Sequence, residues 1–349
     1  MLTDIFAHRY EDVEIWKSIN EQTRRLIVQS FRLLSEQVSP YYIDGYPTDE
    51  TKRFWKNLHD RIAMELGLKH LSPIAYSHTT SVAGKPFVSG GLWEMHTVCE
   101  NWMLAACEPN ARADVFVKQR LSLIEIGFRL REDELNTERR GLEARIDAAR
   151  RRPLAGRGIR LPGDIGDGIR ALLATNEAAF DDAVNELNIR FRSARAPLHY
   201  HNGLIQISED VLTEQQIEGP FWKLLADSKW QNVDTDMKEA FDRRDTNGRD
   251  PAFYAARALE STIKIISAEK GWTHGRERGA HNFIDNLMAS KNGFIEHWEG
   301  DALKAFFTKV RNPLGHGPGN EPMPNLSLPA TTWAIEYSMS WIKSLINRT

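Results

Sequence analysis

The fold class this sequence predicts is mainly α: a mostly helical α+β domain followed by an antiparallel helical bundle. Three observations carry it. Apolar residues recur at helical spacing along most of the chain, strand-favouring residues gather in two short stretches, and 349 residues are enough for two separate cores.

The composition is that of a globular protein, with 41% hydrophobic and 27% charged residues and a net charge of −3. Such a balance does not grip nucleic acid through bulk positive charge, so any such contact requires a local patch. No apolar run approaches the roughly 18–20 residues that span a bilayer. Met1-Leu2-Thr3-Asp4 lacks the basic and apolar regions of a secretory signal, so a cytoplasmic location away from membranes is expected. Cys99 and Cys107, eight apart in a segment that reads as helical, are too few for a zinc site and read as buried thiols.

Residues 1 to about 38 read as mostly helical, with Trp16, Ile19, Leu26, Ile27, Leu33 and Leu34 at helix-like intervals. Pro40 and Asp44-Gly45-Tyr46-Pro47 end that stretch, and a second helix over Thr51–Leu66 is capped by Thr48 or Asp49 and closed by Gly67. Ile74–Gly91 turns to Ser, Thr, Val, Gly and Pro, which suits loops or a short hairpin. Helix resumes over Trp93–Cys107 and Ala111–Phe128.

From Arg139 to Arg160 there are eight arginines against Glu143 and Asp147. Two readings stand: a phosphate-binding surface that includes Arg150, Arg151 and Arg152, or a solvated helix laced with salt bridges. The glycines from Gly156 to Gly168 lack the Lys-Ser/Thr ending of a P-loop and read as a connector. After a helix over Ile169–Phe191, Pro197 to Ile207 reads as two strands around Asn202-Gly203, a strong hairpin signal. His199 and His201 share one strand face, but two histidines without a third ligand make a poor metal site. Neither a metal nor a cofactor is expected. The hairpin marks the approach to a domain boundary, giving domains of 1–215 and 216–349.

Beyond Glu214 the pattern is helical throughout, over Glu214–Ala226, Asp234–Arg243, Pro251–Glu269, Ala280–Ser290, Asp301–Asn312 and Thr331–Asn347. In the third, Ala252, Ala255, Ala256, Leu259, Ile263 and Ile266 form one stripe behind an Asp250 cap and Pro251. Glu260 and Lys264, four apart, flank that stripe in the favourable orientation for a surface ion pair. His274, His281 and His297 have no motif around them and read as surface residues.

In the fifth, Leu303, Phe306, Phe307 and Val310 line one face behind an Asp301 cap. Pro313 lacks an N–H and disfavours helix at Asn312, so the helix is expected to end or kink there, leaving Arg311 at its tip and His316 just beyond. Histidine titrates near neutrality and moves protons; arginine offers a charged planar fork to phosphate. Those are the parts needed to cleave RNA without a metal. The alternative is that Arg311 caps carbonyls or pairs with an acid, Asn312 is a C-cap and His316 is a loop residue.

Arg311-Asn312-Pro313-Leu314-Gly315-His316 resembles the Rx4–6H signature of the HEPN superfamily of small helical domains, many of which are ribonucleases. The string Arg311–Gly317 is similar to the C-terminal HEPN domain of AbiJ-like abortive-infection proteins, and Leu2–Phe6 with the pattern after it resembles their N-terminal domains. The resemblance implies an endoribonuclease toxin of antiphage defence that yields 2′,3′-cyclic phosphate and 5′-OH ends. His316 would act as base or acid, Arg311 would stabilise the phosphorane and Asn312 would position one of them. Leu259-Glu260-Ser261-Thr262-Ile263-Lys264 matches the Glu-x-x-x-Lys that such domains carry, so Glu260 would orient Arg311 or His316 and Lys264 would touch phosphate. RNA, a second copy joined through the C-terminal half, and an antitoxin or phage-derived trigger are the partners implied. The rival expectation is a non-catalytic module binding RNA, a nucleotide or protein.

Overall fold

The computed structural model describes residues 5–82, 85–151, 164–207, 218–315 and 326–349. The fold is mainly α-helical, and the chain divides into two compact units, Met1–Ile207 and Ser208–Thr349. Among the described residues no helix is long and apolar enough to cross a membrane.

The first unit contains α1 (Phe6–Arg9), α2 (Glu21–Leu33, passing into a π-helical turn over Leu34–Val38), α3 (Asp49–Glu65), α4 (Met95–Leu104), α5 (Ala113–Arg140), α6 (Leu142–Arg151) and α7 (Ile165–Ser193). Three antiparallel two-stranded pairs interrupt them: β1 (Tyr42–Ile43) with β2 (Tyr46–Pro47), β3 (Ala75–Val82) with β4 (Lys85–Leu92), and β5 (Leu198–His201) with β6 (Leu204–Ile207). Local chemistry starts the helices. Asn20 accepts from the Thr23 N–H at 2.8 Å, Asp164 accepts from the Gly166 N–H at 3.1 Å, and Thr48 forms a capping box with Thr51.

α5 is the centre of this unit. From Leu121 to Phe128 every residue is buried, so the segment is covered on all sides. Its buried polar groups have specific partners. Glu125 meets Arg9 at 2.6 Å, Arg129 at 2.8 Å and the Ile205 N–H at 2.8 Å. Lys118 donates to the Tyr10 carbonyl at 2.7 Å and pairs with Asp114, which accepts from the N–H groups of Ile15 and Trp16. These contacts hold residues 10–16 in irregular backbone, where helix was expected.

Other boundaries depart from expectation. The helix predicted to stop at Phe128 runs on to Arg140 because Leu130 and Leu135 extend its buried side. Asp164–Gly168 opens α7 instead of belonging to a connector; the glycines up to Gly163 lie outside the described residues. Cys99 is buried in α4, but Cys107 lies beyond the helix end and is only half-buried. The Asn202-Gly203 turn forms as predicted, with φ of 41° and 85°, the left-handed pair a two-residue hairpin requires.

The second unit is helical throughout its described residues: α8 (Gly219–Leu224), a short 3₁₀ turn (Ser228–Trp230), α9 (Gln231–Asp245), α10 (Pro251–Glu269), α11 (Ala280–Met288), α12 (His297–Phe306), α13 (Asn312–Gly315) and α14 (Leu328–Asn347). α10 is its hub, packing against α9, α11 and α14, and the predicted stripe from Ala252 to Ile266 is wholly buried. Asp250 is left-handed, at φ 57°, and makes no side-chain cap, so Pro251 alone carries the predicted start signal. α12 begins four residues before Asp301, at a capping box between Glu296 and Glu299.

Candidate functional site

The tip of α12 does not end at Asn312. Over Phe307–Arg311 the helix widens into a π-helical turn, in which the Asn312 N–H donates to the Phe307 carbonyl five residues back, and α13 then carries the chain through Pro313 to Gly315. In an ordinary helix the proline ring would collide with the carbonyl four residues earlier. One wider turn just upstream changes that spacing, a common device at kinks and functional positions. Phe306, Phe307 and Val310 stay buried through the change, so the core fixes where the tip points.

Arg311 emerges at the last residue of that turn. Its guanidinium lies 3.4 Å from the Glu260 carboxylate and its Cζ 5.6 Å from the centre of the Phe253 ring. Its Nε is buried and has no hydrogen-bond partner among the described residues, a cost accepted in exchange for a fixed orientation. Glu260 also pairs with Lys264 at 2.8 Å, so one carboxylate ties two cations. Glu260 is buried, with a side chain 8% exposed, against 27% for Arg311 and 46% for Lys264. The pair expected at the surface therefore has its acid inside. This ordering leaves two cations facing outward around a recessed anion, a disposition suited to an anionic ligand.

Of the residues singled out in the sequence, Glu260, Lys264 and Arg311 come together here. Asn312 follows directly and is half-buried, while His316 lies outside the described residues. The arginines of the first unit read differently. Arg150 pairs with Asp164, Arg139 with Glu177 at 2.8 Å and Arg145 with Glu138 at 3.7 Å, which favours the salt-bridged helix. Arg151 is exposed at the end of α6, and Arg152 lies outside the described residues. His199 and His201 are buried with their rings 5.6 Å apart, and among the described residues no group of three or more His, Cys, Asp or Glu is placed to hold a metal.

Sequence reasoning passed over four neighbours of the site. The His281 ring nitrogen stands 3.2 Å from the Thr308 hydroxyl at the π turn, although His281 had no motif to mark it. Phe253, Tyr254 and Arg257 lie in the first turns of α10. Arg257 Cζ is 5.9 Å from the Phe253 ring centre and 4.7 Å from that of Tyr254. The aromatic-to-arginine spacing of three and four residues was the available signal.

No curated protein and no solved structure matches the chain. The model of the family described as AbiJ N-terminal domain 4 matches residues 4–223, which takes in the helices and hairpins of the first unit and stops before α9, short of Glu260 and Arg311. With well over half of the 349 residues matched, the chain belongs to the AbiJ N-terminal domain 4 family.

Proposed function

We propose that the chain is an abortive-infection protein of antiphage defence, whose second unit is a HEPN-like, metal-independent endoribonuclease. The observation that carries the reading is the Glu260–Arg311 pairing beside Lys264 at the broken tip of α12. Family membership supports the biological setting, with the first unit sensing a trigger or restraining the nuclease, alone or with an antitoxin.

In this reading His316 takes the proton of a ribose 2′-OH, the 2′-oxygen attacks its own phosphorus, and the bond to the 5′-oxygen of the next nucleotide breaks as that oxygen gains a proton. The products are a 2′,3′-cyclic phosphate and a 5′-OH. Arg311, oriented by Glu260, neutralises charge that builds on the phosphorane; Lys264 holds the neighbouring backbone and Asn312 positions the imidazole or the phosphate. One histidine does not conveniently serve as both base and acid, so we place two copies together through the second unit, each giving one set to a shared cleft.

The second reading is a binding module without catalysis, favoured by the fact that Arg311 already has an acid partner and a ring contact. Incubating the purified protein with total RNA in EDTA and analysing fragment ends separates the two. Cleavage giving cyclic phosphate ends, reduced about 10²–10⁴-fold in His316→Ala, supports the nuclease. RNA retention without cleavage supports the module, and cleavage abolished by EDTA points to a metal enzyme elsewhere in the chain.

A further inference from the structure

We infer that Phe253, Tyr254 and Arg257 form a base-stacking subsite next to Arg311 that selects single-stranded over paired RNA; this rests on the ribonuclease reading above. Phe253, Arg257, Glu260 and Lys264 are spaced by four, three and four residues, which puts them along one side of α10 over about 16 Å. The guanidiniums of both Arg257 and Arg311 stand within 6 Å of the Phe253 ring centre, at 5.9 and 5.6 Å. Tyr254 has Arg257 at 4.7 Å and Arg243 at 4.4 Å, and meets Phe253 edge to face, with ring centres 5.7 Å apart. At the other end Lys264 stands 5.8 Å from the Phe283 ring.

The cations along this strip are each held by an acid: Arg243 by Glu239 at 2.7 Å, Arg257 by Asp236, and Lys264 and Arg311 both by Glu260, at 2.8 and 3.4 Å. Because Glu260 is shared by two cations, one positive charge is left over at that end of the strip. Tyr254 and Phe283 are seated against the buried core, and Phe253 is half-buried, so these rings are held in place before any ligand arrives. Fixed rings interleaved with guanidiniums match a ligand that alternates flat bases with phosphates. The faces of paired bases are hidden inside a duplex, whereas a single strand offers them to Phe253 while its phosphates meet Arg257 and Arg311.

The test uses fluorescence polarisation with a 5′-fluorescein 2′-O-methyl oligouridylate, which has no free 2′-OH to attack and so reports binding without cleavage. Phe253→Leu keeps the apolar bulk and removes the ring; it should weaken binding about tenfold, the loss expected for one stacked base. Phe253→Trp should retain binding, and the same strand annealed to its complement should bind at least about tenfold more weakly. Arg257→Gln, a second variant in case Phe253→Leu melts early by circular dichroism, should weaken binding and flatten its salt dependence. Equal binding by Phe253→Leu, equal binding of duplex, displacement by uridine monophosphate at the same nucleotide concentration, or no binding by the unmutated chain would overturn the subsite. Cleavage of unmodified RNA is followed in the same preparations. A chain that binds through Phe253 yet cuts nothing keeps the subsite and favours the binding module over the nuclease. A chain that cuts RNA with KM and kcat unchanged in Phe253→Leu loses the subsite and keeps the nuclease.

Discussion

Replacing Glu260 by glutamine tests whether the recessed carboxylate organises the site. The substitution keeps volume and one acceptor oxygen but removes the charge that Arg311 meets at 3.4 Å and Lys264 at 2.8 Å. Deleting one member of a fully buried pair costs about 3–5 kcal/mol, because the other charge is stranded. Here the acid is 8% exposed but its cations are 27% and 46% exposed, so water recovers part of their solvation. We therefore expect a loss of about 1–2 kcal/mol, between the buried and surface limits. For a unit of this size that is about 3–6 °C in the Tm of its unfolding transition, read by calorimetry. If Arg311 acts on the phosphorane, cleavage should fall about tenfold, chiefly in kcat, because the guanidinium loses its orientation while remaining charged. Lys264→Met leaves the Arg311 contact in place and should change stability by less than about 0.5 kcal/mol. A Glu260→Gln protein with unchanged Tm and unchanged kcat would refute the reasoning.

Three further outcomes follow from the first unit. Burial alone would raise the Glu125 carboxyl, but the guanidiniums of Arg9 and Arg129 and the Ile205 N–H hold it below the usual glutamate range. Its stabilisation is therefore complete above the ordinary glutamate pKa and is lost as pH falls through the lower native value. Glu125→Gln should cost about 3–5 kcal/mol in urea unfolding at pH 7, with the gap to the parent protein shrinking in acid; a gap independent of pH would contradict this account. A Cβ at Gly127 would lie 2.6 and 2.7 Å from the Leu34 methyl carbons, so Gly127→Ala should destabilise by about 1–3 kcal/mol in the same assay. Thr48→Ala removes the capping box of α3 and should cost about 1 kcal/mol, measurable as a lower urea midpoint at constant slope.

What the sequence disclosed depended on the range of the interaction. The α10 stripe and the Asn202-Gly203 turn are short-range patterns, and both formed where the spacing put them. The irregular backbone at residues 10–16 is held by Lys118 and Asp114, partners about a hundred positions away that no local window contains. At the site, Glu260 and Lys264 were legible through their four-residue separation, but that Glu260 reaches Arg311 was implied by family resemblance alone. The Pro313 expectation of an end or a kink put the interruption several residues too late, for a different reason. A proline rule assumes regular helix before it, and the apolar pattern of Leu303, Phe306, Phe307 and Val310 does not reveal a wider turn.

The π turn at Phe307–Arg311 works as a phase shifter. It contains one residue more than ordinary pitch needs, and that single surplus position decides the compass bearing of everything downstream. With the same residues held in regular helix, Arg311 and Asn312 would be turned by about 100° relative to Phe306. The side chains would all survive while their alignment with Glu260 vanished, so the width of this turn is under as tight a constraint as residue identity.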